Sequence, residues 1–175
     1  MDSIGNLGTG APTDGGNPIK GLLRVEVERD GVIETLALDM SLEADALAAV
    51  RKTLGLDDDD LIFELDGDKP LVSPIIGRKV LQLVVHKARK INVQVRYEHR
   101  TESRDFGPAK TVFKVLQFAV GKKGFDLDPT VAAKANLILP GAETPLPREA
   151  AIGSFVKKGE RALVLDLTLK DFTNG

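Results

Sequence analysis

The chain has 175 residues, 42% of them apolar and 29% charged, which gives room for one medium domain or two small ones. Its 24 basic and 26 acidic side chains leave a formal charge of −2, without the basic excess by which a generic nucleic-acid binder neutralises phosphates. There is no cysteine, which excludes disulfides, thiolate metal sites and a cysteine nucleophile, so in any thioester chemistry this chain would have to supply the acyl group.

Residues 1–20 carry Gly5, Gly8, Gly10, Gly15 and Gly16 with few apolar side chains, and read as a flexible tail because burial cannot offset the entropy of ordering them. Met1 to Asn17 lacks the basic start and apolar core of a secretory signal. Apolar-rich stretches are short, as at Leu81 to Val85 and Ala162 to Leu165, against the roughly 20 residues that span a bilayer. The expectation is a cytoplasmic protein with neither membrane nor nucleic acid as partner. From Gly21 the chain alternates: Leu23, Val25 and Val27 point one way, Arg24, Glu26 and Glu28 the other, as in a half-buried strand. Asp30-Gly31 predicts a hairpin turn, after which Val32 to Met40 alternates through Ile33, Leu36 and Leu38.

Ser41 stands where a helix N-cap is expected, and Leu42, Ala46, Leu47, Val50 and Leu54 recur at helical spacing up to Gly55. Leu61 to Leu65 is a short strand turned at Asp66-Gly67-Asp68, a loop is marked by Pro70, Pro74 and Gly77, and Lys79 to Val85 closes the series. The same order then recurs. Ile91, Val93 and Val95 alternate in a strand running towards His99, and the polar stretch Thr101 to Phe106 suits only an edge strand. Thr111 can cap a helix whose apolar face is Val112, Leu116, Ala119 and Val120 together with Phe113, ended by Gly121 and Gly124. Asn136 to Leu139 is a short strand stopped by Pro140-Gly141, and Arg161 to Leu169 is the last strand. The element order β-β-α-β-β therefore occurs twice, an internal repeat of about 70 to 80 residues.

These paired units resemble tandem ubiquitin-like β-grasp domains, an α+β fold. Thr111-Val112-Phe113-Lys114-Val115 resembles the start of the ubiquitin helix, Asn136 to Gly141 its third strand and turn, and Ala162 to Leu169 its fifth strand; Leu61-Ile62-Phe63 and Leu81 to Val85 hold the same stations in the first copy. The resemblance divides the chain into the tail at 1–20, a first domain at 21–87, a second at 90–169 and an extended arm at 170–175. A doubled unit of this kind resembles the interferon-induced two-domain ubiquitin-like modifier of vertebrates. It resembles more closely the bacterial counterparts that accompany E1-like, E2-like and deconjugating metallopeptidase partners in anti-phage operons. The resemblance implies that the chain is no enzyme and binds no cofactor or metal of its own. It further implies that ATP is used by an E1-like activating enzyme, that an E2-like enzyme conjugates and a metallopeptidase deconjugates, and that phage structural proteins are candidate targets. β-Grasp domains also serve as thiocarboxylate sulfur carriers and as plain interaction modules, and both alternatives stay open at this point.

On this reading Gly175 is the acyl donor, because a residue without Cβ lets a nucleophile and an enclosing backbone approach closely. Lys170, Asp171, Phe172, Thr173 and Asn174 form the arm that carries it into a partner's tunnel, and six extended residues reach about 20 Å. The arm differs from that of ubiquitin in Asp171, Phe172 and Asn174, which implies a dedicated activating enzyme. The resemblance also places Ile138 at the centre of a partner surface, with Val164 and Asp166 beside it and Ile62 at the same station of the first copy. Alternation agrees in turning Leu137 and Leu139 inward and Ile138 outward.

Other candidates are weaker. Asp57 to Asp60 lacks the spaced ligands of a calcium loop and reads as a solvated turn. His86 and His99 read as surface residues, and neither belongs to a metal or general-base pattern. Lys87, Arg89, Lys90, Arg96 and Arg100 read as a solvated basic face at the junction, or as a guide for the activating partner. The short connector from Val85 to Ile91 predicts a compact pair of domains. No GxSxG, phosphate-binding glycine loop or GxGxxG is present.

Overall fold

In the computed structural model the described residues are 22–39, 45–72 and 80–172. The tail at 1–20, the Ser41 cap, and Thr173, Asn174 and Gly175 lie outside them. In the first unit β1 (Leu22–Arg29) and β2 (Val32–Asp39) form a hairpin, α1 (Ala46–Leu54) crosses the sheet, and β3 (Leu61–Glu64) and β4 (Val80–His86) complete it. The second repeats the plan with β5 (Ile91–Tyr97), β6 (Arg100–Phe106), α2 (Val112–Val120), β7 (Asn136–Ile138) and β8 (Ala162–Thr168). Strand orders are β2-β1-β4-β3 and β6-β5-β8-β7, each with its first and last strands parallel at the centre and every other pair antiparallel. Two β-grasp-like sheet-and-helix units are the result.

Local chemistry accounts for the elements. Asp30 and Gly31 both take positive φ, the conformation of the two-residue turn that matches strand twist. Leu23, Val25 and Val27 are buried beneath α1, which sets Ala46, Leu47, Ala49 and Val50 into the same core. Leu38 is buried with them, whereas Ile33, one of the alternating positions of the second strand, lies on the opposite face and is 66% exposed. The helix starts later than the spacing from Ser41 predicts: the Asp45 carboxylate accepts a hydrogen bond from the Leu47 amide at 2.9 Å and is the N-cap. In the second unit Thr111 caps α2, and Val112, Val115, Leu116 and Ala119 face Ile91, Val93, Val95, Leu163 and Leu165.

Two short elements were not anticipated. A one-turn helix, α3 (Pro129–Ala132), follows Asp128, whose carboxylate accepts from the Thr130 amide, and a 3-10 turn spans Ile152–Phe155. Asp128-Pro129, a cap followed by proline in the first turn, is the signal that marks the former.

The two units pack on one another through the outer face of β3 and β4. Phe63 and Val84 are fully buried there against Ala109 and Ala151 of the second unit. Asp66 fastens the contact: its amide donates to the Ala109 carbonyl at 2.8 Å, its carboxylate accepts from the Thr111 amide at 2.9 Å, and its carbonyl accepts from Lys110 Nζ at 2.7 Å. Across the junction the Ser154 hydroxyl donates to Glu28. Gly153 lies so close that a Cβ would stand 2.9 Å from the Pro108 carbonyl oxygen and 3.1 Å from the His86 ring.

The structure corrects three sequence-based expectations. His86 is half-buried at the junction rather than on the surface, with Nδ1 accepting from the Ala88 amide at 2.9 Å, and burial lowers its pKa. The acidic run is more than a solvated turn. Asp60 is buried, and Lys87 is held by Asp57, Asp59 and Asp60 at 3.5, 2.7 and 3.5 Å. Nor do the basic residues form one face: Lys87 is spent on that run, Arg96 on Asp166, and Arg100 on the Phe125 carbonyl and ring.

Candidate functional site

Every strand pairing of one unit has its counterpart in the other. Val27 pairs with Leu83 as Val95 does with Leu165, and Ile62 pairs with Val85 as Leu137 does with Leu167. By the same register Phe63 pairs with Val84 and Ile138 with Asp166. The station of Ile138 in the first copy is therefore Phe63 and not Ile62, which is buried in the core with Leu81 and Val85. Leu61-Ile62-Phe63 is apolar throughout, so sequence alone offers no alternation from which to read the register.

The two equivalent faces have different fates. In the first unit Phe63 and Val84 are covered by the second unit, whereas Ile138, Val164 and Asp166 are half-buried on the outer face of the β5-β8-β7 sheet. Leu137 is buried as alternation required, and Leu139 is half-buried against the core. Asp166 is not a free carboxylate. Arg96, beside it on β5, donates to both its oxygens at 2.6 and 2.9 Å, and this bidentate bond raises the pKa of Arg96. The surface is thus an isoleucine and a valine next to a neutralised ion pair. Arg96 was read only as part of a basic cluster; cross-strand pairing of alternate residues on β5 and β8 was the signal that could have placed it here.

The arm leaves from β8, which is paired to β5 on one side and β7 on the other. Leu169, Lys170 and Asp171 are exposed, and Phe172 is half-buried. The Lys170 amide donates to the Thr168 hydroxyl at 3.1 Å, and its ammonium lies 5.7 Å from the centre of the Phe172 ring. Leu169 to Phe172 line a shallow cleft with Lys134, Asn136 and Arg148. The fold thus joins the arm to the patch: Ile138 of β7 lies across from Asp166 of β8, the strand from which the arm leaves.

No group of three or more histidine, aspartate or glutamate side chains is arranged to hold a metal among the described residues. No helix among them is long and apolar enough to cross a membrane.

Residues 92–170 match the family described as BilA ubiquitin-like domain 2. No curated protein matches the chain. Among solved structures, an Arabidopsis thaliana protein determined from evolutionary couplings and sparse NMR data is similar at a TM-score of 0.35 and 13% identity, over 51% of this chain and 98% of that one. The match to a ubiquitin-like domain family falls on the second unit, and the first unit repeats that unit's topology.

Proposed function

We propose that this chain is a protein modifier, joined to target proteins through the carboxylate of Gly175. The observation that carries the proposal is the course of the ubiquitin-like domain's last strand. β8 is anchored on both sides, and the chain leaves it through the exposed Leu169, Lys170 and Asp171. A partner must thread such a segment to reach a carboxylate.

The chemistry follows from what the chain has and lacks. The Gly175 carboxylate attacks the α-phosphate of ATP in an E1-like enzyme, giving an acyl-adenylate and pyrophosphate. A thiol displaces AMP to form a thioester, and a target amine displaces the thiol to form an amide. This chain has no cysteine, so the thiols belong to the E1-like and E2-like partners. A deconjugating metallopeptidase hydrolyses the amide. Lys170 to Asn174 fill the activating enzyme's tunnel, and Ile138, Val164 and Asp166 meet its surface. By the family resemblance the setting is bacterial anti-phage defence in the cytoplasm, with phage structural proteins as targets.

The test is incubation of the full chain with its E1-like partner and ATP, followed by non-reducing electrophoresis. A reductant-sensitive adduct that disappears when Gly175 is deleted supports the proposal. An adduct that survives the deletion overturns it. Conversion of the terminal carboxylate to a thiocarboxylate assigns a sulfur carrier instead, and the absence of any ATP-dependent product assigns an interaction module.

A further inference from the structure

The internal repeat allows one surface to be compared with its own copy. β2 and β6 each form one edge of their sheets, and register makes Val32 to Leu38 equivalent to Arg100 to Phe106. The edge of β6 is guarded in the usual way, with Arg100, Glu102, Arg104 and Asp105 along it. At the matching stations β2 has Val32, Glu34, Leu36 and Ala37, and Val32 and Ile33 are 59% and 66% exposed. The hairpin turn closes on the Arg29–Val32 pair, so alternation directs the backbone groups of Val32, Glu34 and Leu36 to β1 and leaves those of Ile33, Thr35 and Ala37 on the open side.

Beside this edge runs a groove of about 530 Å³ between the two units. Ile33, Val84, Pro147 and Phe155 give it apolar walls, and Glu26, Glu28 and Glu149 give it charge. Arg24 pairs with Glu26 at 3.0 Å, Glu28 accepts from the Ser154 hydroxyl and the Ala151 backbone, and neither Glu28 nor Glu149 makes an ion pair among the described residues. Burial raises the pKa of Glu28, as expected of a carboxylate with no cation beside it.

We propose that β2 accepts an extended segment of a partner protein as an added strand, with lysine or arginine at alternate positions directed into this groove. Main-chain hydrogen bonds to Ile33, Thr35 and Ala37 supply register-independent affinity, and alternate side chains supply selection. Neighbouring strands lie about 4.8 Å apart, so Glu28, one strand in from the edge, is about 10 Å from the added backbone, within the combined reach of a lysine and a glutamate. Charge selects the occupant. A second copy pairing through β2 would bring two acidic grooves together, and a nucleic acid would be repelled.

The experiment is an NMR titration of the full ¹⁵N-labelled chain with a capped peptide, acetyl-Thr-Lys-Val-Lys-Val-Lys-Val-Thr-amide, and with its counterpart carrying glutamate for lysine. Expected are shifts and slowed amide exchange at Ile33, Thr35 and Ala37, none at Thr101, Ser103 and Asp105, and binding of the acidic peptide at least about tenfold weaker. Thr35→Pro removes an outward donor without a ladder bond and should weaken binding about tenfold with the rest of the spectrum unchanged. Ile33→Lys, at an exposed position, should weaken it as well. Equal binding of the two peptides, full binding by both variants, shifts confined to β6, absence of binding, or self-association of the free chain through β2 would each overturn the proposal.

Discussion

Replacing Phe63 with alanine removes the largest side chain buried between the two units. A phenylalanine buries roughly 200 Å², worth about 5 kcal/mol at 25 cal/mol per Å², and alanine retains part of it. Core substitutions of this kind cost about 3–5 kcal/mol, and because the units can close partly on the smaller residue we expect about 3 kcal/mol. The loss should fall on the coupling between the units as well as on the first unit. Tyr97 is the only tyrosine and there is no tryptophan, so intrinsic fluorescence reports the second unit while far-UV circular dichroism reports both. In urea the two probes should coincide for the wild type and separate for Phe63→Ala, with the dichroism change coming first. Ile62→Ala, one residue away in the core of the first unit, should destabilise that unit and leave the junction intact, so its probes separate less. A cost below about 1 kcal/mol for Phe63→Ala, or probes that still coincide in that variant, would refute the packing argument.

Other consequences are as concrete. Asp45→Ala removes the cap of α1 and should cost about 1 kcal/mol in denaturant unfolding. The pKa of His86 is lowered from 6.5 by burial, so the unfolded chain binds its proton more tightly; stability should be full above pH 6.5 and fall as the pH drops below it, and His86→Gln should flatten that slope. Glu28 has the opposite sign: its pKa is raised from 4.5, so its contribution is full below pH 4.5 and is lost as the pH rises through the folded value. Glu28→Gln should therefore unfold at higher urea than the wild type at pH 7, with the gain vanishing in acid. Gly153→Ala should loosen the junction, seen as faster amide exchange at Asp66 and Thr111, because its Cβ meets the Pro108 carbonyl at 2.9 Å.

The repeat was legible because period-2 patterns at Leu23 to Val27 and Ile91 to Val95, and period-3.6 patterns at Ala46 to Leu54 and Val112 to Ala119, are local properties of sequence. The turn at Asp30-Gly31 and the cap at Thr111 were legible for the same reason, since each is satisfied within a few residues. What sequence did not disclose depends on contacts between residues far apart in the chain. Phe63 stands in an apolar triplet whose two faces are both buried, one in a core and one against Ala109 and Ala151, so no alternation remained to mark it. Asp66 looked like turn chemistry, and only packing across 45 residues gives its carboxylate the Thr111 amide. Lys87 and Arg96 looked like one basic cluster because they are near in sequence, whereas the fold sends them to acids 28 and 70 residues away.

Conjugation through Gly175 is tested most directly by the bond itself. Trypsin cleaves after Lys170, so a target modified by this chain should yield peptides with a lysine carrying Asp171-Phe172-Thr173-Asn174-Gly175 on its side-chain amine. Tandem mass spectrometry of proteins captured from cells expressing a tagged chain with the proposed E1-like and E2-like partners should find that branched peptide, and lose it when Gly175 is deleted. Captured partners with no such branch, or a branch that persists without Gly175, would contradict the account.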